Sequence, residues 1–207
     1  IFAPTAKEMY PEGLEARVQT LGGLGNLMEG ADRPGHYNGV ITIVAKLFEA
    51  LQPNQAYFGE KDFQQLQVIK KWGKDRHIQT RIIACPIVRE ANGLAMSSRN
   101  TQLSIEDRNE AGFIYQTMLK CKNKLLDKAA VYTTIKEAFS AHPNFDLLYV
   151  LCAEEDNLKE VDDLVSANKP RLFIATSVAG VRLIDNMAMR KGLVKKEGLI
   201  RTVEKKN

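Results

Sequence analysis

The stretch Gln55-Ala56-Tyr57-Phe58-Gly59-Glu60-Lys61-Asp62-Phe63-Gln64-Gln65-Leu66 constrains what this chain can fold into more than any other. Gln55 to Phe58 reads as a short apolar strand, Gly59 breaks it, and Lys61 to Trp72 reads as a helix. A strand that turns into a helix at a glycine aims unpaired backbone N–H groups and a partial positive charge at one point, which suits an anion. Lys61 puts a full positive charge in the first helical turn, where helix electrostatics alone disfavour a cation, so the lysine is assigned to a ligand. An ordinary strand–helix corner with a solvated lysine is the alternative. Phe63, Leu66, Ile69 and Trp72 recur at helical spacing and face the sheet, whereas Lys61 and Gln65, four apart, share another face. A cation beside a carboxamide, above a strand's carboxyl end, fits a phosphate-bearing substrate with a polar co-substrate next to it.

The flanking chain supplies the rest of an open α/β sheet. Val40, Ile43, Val44, Leu47, Phe48 and Leu51 predict a core-facing helix that ends before Pro53. Thr80 to Cys85 predicts a buried parallel strand. Ligands of such sheets collect beyond the carboxyl ends of the strands, so Gly59 and the segment after Pro86 should converge on one pocket. Pro11 to Asn26 reads as turns; Gly23-Leu24-Gly25 is no dinucleotide fingerprint, because Met28 stands where a third glycine would be needed.

Beyond Asn100 the character changes. Ser104 is a good N-cap with Asp107 three residues on, and Ala111, Ile114, Tyr115, Met118, Leu119, Leu125 and Leu126 form one helical stripe. A second helix covers about Val131 to Ala141. Strands follow at about Phe145 to Cys152, Arg171 to Val178 and Val181 to Asn186, the last two joined around Ala179-Gly180. The expected fold class is α/β: an open parallel sheet over residues 1–98, whose partial Rossmann-like, nucleotide-binding character is what resemblance to a known family implies, a small α+β domain with an antiparallel sheet over 99–189, and a basic tail over 190–207.

Charge and cysteines exclude several classes. The net charge is +4, but residues 190–207 hold seven basic against two acidic side chains, a net of +5, which leaves the body at −1. A basic tail on a near-neutral body reads as a solvated extension rather than a nucleic-acid surface. No apolar run approaches the roughly 20 residues that span a bilayer. Cys85, Cys121 and Cys152 are odd in number and widely spaced, as in a reduced, cytoplasmic protein, and His36, His77 and His142 show no metal-ligand spacing.

Three blocks carry a specific resemblance. FGEKDFQQL, from Phe58 to Leu66, resembles the signature of the pantothenate synthetase (pantoate–β-alanine ligase) family. Val88-Arg89-Glu90-Ala91-Asn92-Gly93-Leu94-Ala95-Met96-Ser97-Ser98-Arg99-Asn100 resembles that family's second ATP-binding segment, and Glu29-Gly30-Ala31-Asp32-Arg33-Pro34-Gly35-His36-Tyr37-Asn38-Gly39-Val40 matches it as well. The similarity runs in order from Phe2 to about Asn186.

The resemblance implies ligation of pantoate and β-alanine through an enzyme-bound pantoyl adenylate, with ATP as substrate, Mg²⁺ assisting, and AMP and diphosphate released. It implies a homodimer, and no nucleic-acid or membrane partner. By the same resemblance the ATP contacts are Gly59, Glu60, Lys61, Asp62, Val88, Met96, Ser97, Ser98 and Arg99. Gln65 binds pantoate, and Lys61, Ser97, Ser98 and Arg99 stabilise charge as diphosphate leaves. Glu60 has an alternative role, orienting Lys61. Arg33 and His36, just ahead of the first long helix, could reach a substrate or serve a structural turn. Ile1 to Thr5 corresponds to a strand inside the family's nucleotide-binding domain. The HxGH motif and the glutamine that precede that strand in the family have no counterpart here, and no HxGH occurs in the 207 residues. These residues alone are accordingly expected to be inactive. The rival readings are a related nucleotidyltransferase and a non-catalytic fragment with a nucleotide half-site.

Overall fold

The computed structural model describes residues 1–13, 21–123 and 127–189. Leu125, Leu126 and the expected basic tail lie outside these residues.

The chain opens with a one-turn helix, α1 (Ala6–Met9), closed by a reciprocal cap in which Thr5 and Glu8 bond each other's side chains and backbone. Ile1 and Phe2 are exposed. Here the structure corrects the sequence reading: residues 1–5 form no strand, since no neighbouring strand among the described residues offers them a ladder. A 3₁₀ turn at Leu24–Asn26 leads into α2 (Met28–Asp32) and the long α3 (His36–Leu51). Gly30 is required by packing, because a Cβ there would clash with the carbonyl oxygen of Gly25. At the other end of α3, Gln52 adopts left-handed geometry and its N–H closes on the Phe48 carbonyl before Pro53.

β1 (Gln55–Gly59) and β2 (Arg81–Cys85) pair in parallel, Gln55 opposite Arg81 and Gly59 opposite Cys85, and α4 (Phe63–Asp75) crosses between them. Phe63, Leu66, Val68, Ile69 and Trp72 of α4 pack with Ile41, Val44 and Ala45 of α3 in one core. Two details differ from expectation. Lys61 lies in a 3₁₀ turn (Glu60–Asp62) ahead of the α-helix, not in its first turn. β2 is only partly buried, because its sheet has two strands among the described residues and the outer face of β1 carries Tyr57, 64% exposed.

Residues 98–102 form a further 3₁₀ turn, followed by α5 (Ile105–Glu110), α6 (Gly112–Asn123) and α7 (Lys128–Ser140). Ser104 and Asp127 cap α5 and α7 by accepting from the N–H groups of Asp107 and Ala130. The helix expected to run from the Ser104 cap into the stripe thus breaks at Ala111, and the described stripe residues beyond Ala111 fall in α6. Then β3 (Phe145–Glu154), β4 (Pro170–Val178) and β5 (Val181–Ala188) make an antiparallel sheet in that order. The β4–β5 turn places Ala179 and Gly180 at φ 49° and 77°, the twist a two-residue hairpin needs.

This three-stranded sheet is covered on both faces. Met118, Val131 and Ile135 of α6 and α7 meet Leu172, Ile174 and Leu183 on one side. On the other, Phe173 tilts against Phe63 of α4 at 5.8 Å between ring centres, joined by Tyr149, Leu151 and Ala153. Double coverage explains why β4 is buried almost throughout, where a sheet with one wet face would alternate. It also sets the turn that follows β1 directly against β5.

Candidate active site

A cleft opens where the carboxyl end of β1 meets α2, α3 and the antiparallel sheet. Lys61, Asp62 and Gln65 line one wall, Ser97, Ser98 and Arg99 another, Glu29, Arg33, His36 and Tyr37 a third; Asp185 and Asn186 close the floor. Residues from all three sequence blocks therefore meet in one place. Lys61 and Gln65 both line the cleft although Lys61 lies in the 3₁₀ turn that precedes the helix.

The other sequence-assigned residues lie outside the lining. Gly59 ends β1, and Glu60 turns its carboxylate to Arg171 at 3.7 Å rather than to Lys61. Val88 and Met96 are 66% and 53% exposed, and the N–H of Met96 donates to the Val88 carbonyl at 2.9 Å. They form the base of a short hairpin completed by an Arg89–Ala95 bridge and a left-handed Gly93. Ser97 acts as a cap: its hydroxyl accepts from the Arg99 N–H at 3.2 Å, starting the 98–102 turn.

Electrostatically the cleft is cationic where it is open. Two of its carboxylates are already paired. Arg182 donates to Glu29 at 2.6 Å and to Asp32 at 2.6 Å, and the Tyr149 hydroxyl also donates to Glu29. Arg89 grips Asp185 through two bonds, 2.6 and 2.9 Å. Lys61, Arg33 and Arg99, in contrast, enter none of the ion pairs among the described residues. Burial, and then the nearby Arg33 guanidinium, hold the His36 imidazole below its ordinary pKa, so it is neutral at neutral pH. Burial pushes the Tyr37 and Tyr149 hydroxyls upward, so both remain donors. Among the described residues no group of three or more His, Cys, Asp or Glu is placed to hold a metal ion.

The sequence reading missed the residues that hold these walls together. Gln64, next to the expected Gln65, is buried: its amide donates to the carbonyls of Leu24 and Leu27 at 2.7 and 2.6 Å and accepts from the Glu29 N–H. Arg171 lies across the Phe63 ring and donates to Glu155 and Asn186. Asn186 in turn donates to the carbonyls of both Glu60 and Lys61.

Comparison with known proteins decides the family. Residues 1–188 match the family model described as pantoate-beta-alanine ligase. The chain belongs to this family. It is 41% identical over 191 residues to the pantothenate synthetase of Christiangramia forsetii, covering 91% of this chain and 68% of that one. With that of Bacteroides fragilis it shares 42% over 192 residues, covering 92% and 68%. The crystal structure of pantothenate synthetase from Thermus thermophilus superposes with a TM-score of 0.85 at 40% identity, over 92% of this chain and 69% of that one. A pantoate-beta-alanine ligase from Francisella tularensis, solved in complex with beta-gamma ATP and beta-alanine, gives 0.64 at 32%, over 90% and 63%. The fold is that of the pantothenate synthetases, and the family makes pantothenate by ligation. The chain spans about two thirds of these relatives' length. No helix among the described residues is long and apolar enough to cross a membrane.

Proposed function

We propose that these residues form the nucleotide and pantoate walls of an enzyme that joins pantoate to β-alanine through a pantoyl adenylate. The observation that carries this reading is the convergence of Lys61, Gln65, Ser97, Ser98 and Arg99 on one cleft whose carboxylates Glu29 and Asp185 are neutralised by arginines. Paired carboxylates leave the Lys61 ammonium and the Arg99 guanidinium to face a polyphosphate.

In this reading a pantoate carboxylate oxygen attacks the α-phosphorus of ATP and the bond to diphosphate breaks. The β-alanine amine then attacks the acyl carbon; the C–O bond breaks and the oxygen leaves with AMP. Lys61 stabilises charge on the departing diphosphate, and Arg99 with the Ser97 and Ser98 hydroxyls clamps its oxygens. Asp62 takes a ribose hydroxyl, and the Gln65 carboxamide holds pantoate by donating to its carboxylate or accepting from a hydroxyl. Gly59 and Val88 offer backbone to the nucleotide, while Glu60 and Met96 act at its margin. Mg²⁺, if bound with the nucleotide, would supply further charge to the departing diphosphate; of the carboxylates lining the cleft, Glu29 and Asp185 are engaged by Arg182 and Arg89, which leaves Asp62 as the one that could face it. The enzyme is read as a cytoplasmic homodimer.

The test is pantoate-dependent AMP release by a full-length version, one extended to the length of the relatives. AMP should form with ATP, pantoate and β-alanine together and not when pantoate is withheld. AMP release indifferent to pantoate would point instead to a related nucleotidyltransferase. The edge of β1 left unpaired among the described residues, with the exposed Ile1, Phe2 and Tyr57, favours a second reading, in which residues 1–207 alone hold a nucleotide half-site without turnover.

A further inference from the structure

We infer that Asn186 is a positioning residue for the ligation, fixing Lys61 from the opposite sheet. The inference rests on the function proposed above and adds a residue that the sequence blocks do not contain.

The geometry of the carboxamide leaves little freedom. Its nitrogen donates to the carbonyl oxygens of Glu60 and Lys61, each at 2.9 Å. Its oxygen accepts from the Arg171 guanidinium, which excludes the flipped amide. Arg171 is itself buried, held by two bonds to Glu155 at 3.1 and 2.9 Å and by the face of Phe63 at 3.9 Å. The carboxamide therefore projects from a rigid support. Both of its protons are spent on the two carbonyls of the turn that carries the Lys61 side chain into the cleft.

The neighbouring residue performs the same service for the other wall. Asp185 accepts from Arg89, whose guanidinium also donates to the Gly93 carbonyl and stacks on Tyr115. Arg89 sits in the hairpin that leads into Ser97, Ser98 and Arg99. The Asp185 carboxylate also accepts the Asn186 N–H at 2.7 Å, so the two anchors share one strand and one hydrogen-bonded corner. Two consecutive residues of β5 thus set the distance between the Lys61 turn and the Ser97–Arg99 segment. A bare interdomain contact needs no such match. Here Asn186 donates to the backbone of the turn that carries Lys61, and Asp185 accepts from the arginine of the hairpin that leads into Ser97.

A polyphosphate clamp depends on alignment, and a displacement near 1 Å costs on the order of 10²-fold in rate. The experiment uses the full-length version with Asn186→Ala and Asn186→Asp, each alone and combined with Lys61→Ala. Asn186→Asp keeps the volume and the Arg171 partner but replaces the two donors by an acceptor, and it covers the case in which Asn186→Ala fails to fold. Either single variant should lower kcat for pantoate-dependent AMP release by about 10²-fold and shift KM for β-alanine by less than about threefold. In the Lys61→Ala background the same change should alter kcat by less than about threefold, because Asn186 acts through a group already removed. Wild-type turnover in Asn186→Asp, or a loss that persists in full without Lys61, overturns the inference. A wild type that releases no pantoate-dependent AMP overturns the functional reading as well, so the two failures are distinguishable.

Discussion

Replacing Arg89 by methionine isolates the charge that the Asp185 carboxylate needs. Methionine retains a long side chain against the Tyr115 ring, where the Arg89 guanidinium now lies at 3.9 Å, so most packing survives. What is lost is the pair of bonds to Asp185, whose side chain is 6% exposed against 17% for Arg89. At that depth the relevant scale is the breaking of a buried pair from one side, about 3–5 kcal/mol, rather than the surface value of about 0–1 kcal/mol. For a chain of this size each kcal/mol moves the midpoint by roughly 2–4 °C, so Tm at neutral pH should fall by roughly 6–20 °C.

The pH dependence has a definite sign. Burial already raises the Asp185 carboxyl above its ordinary pKa with Arg89 beside it. A carboxyl raised in the folded state favours folding below its unfolded pKa, and that contribution is lost as pH rises through the folded value. Without Arg89 the folded value climbs further. The deficit of Arg89→Met should therefore be largest at neutral pH and shrink on acidification as Asp185 takes a proton. Thermal unfolding followed by circular dichroism at about pH 7.5 and about pH 5 measures both quantities, and adding Asp185→Asn should recover most of the loss. A deficit below about 1 kcal/mol, or one indifferent to pH, would refute the claim that Asp185 is a buried anion stabilised by Arg89.

Three further outcomes are expected. Lys61→Ala in the full-length version should reduce turnover by about 10²–10³-fold, the range for removing one donor to developing charge, and kcat within about threefold of wild type would remove Lys61 from that role. Gln65→Ala should raise KM for pantoate far more than KM for ATP; equal effects on both would show that the carboxamide does not face pantoate. Ser104→Ala should lower stability by about 1 kcal/mol through loss of the α5 cap on the Asp107 N–H, checked by urea denaturation, with turnover unaltered.

Local features were readable from the sequence, and remote ones were not. The strand–glycine–helix corner, the helix ending before Pro53, the Ser104 cap and the Ala179-Gly180 hairpin each depend on residues within one or two turns of one another. Periodicity and capping chemistry report on that range. Arg89 with Asp185 and Asn186 with Glu60 span 96 and 126 positions, and neither leaves a repeating pattern in the sequence. Asp185 and Asn186 fall at the end of the strand expected at Val181 to Asn186, and their partners come from segments that local sequence does not place beside it. The four-residue spacing from Lys61 singles out Gln65, but nothing local in the sequence shows what the adjacent Gln64 does. Only the position of the 24–29 segment shows that Gln64 is consumed by backbone and Gln65 is left to the cleft. The burial expected of β2 assumed a wider sheet than the two strands found among the described residues, and the strand expected at residues 1–5 assumed a neighbour in the same sheet.

The central claim, that the cleft activates pantoate as an acyl adenylate, is tested most directly by following oxygen. Pantoate labelled with ¹⁸O in its carboxylate is supplied with ATP, Mg²⁺ and β-alanine to the full-length version, and the products are weighed by mass spectrometry. Attack of the carboxylate on the α-phosphorus, followed by attack of the amine on the acyl carbon, leaves one carboxylate oxygen on the phosphate of AMP. One ¹⁸O atom in AMP, with none in diphosphate, is the expected result. Unlabelled AMP, or label in a product split at the terminal phosphate, would contradict the account.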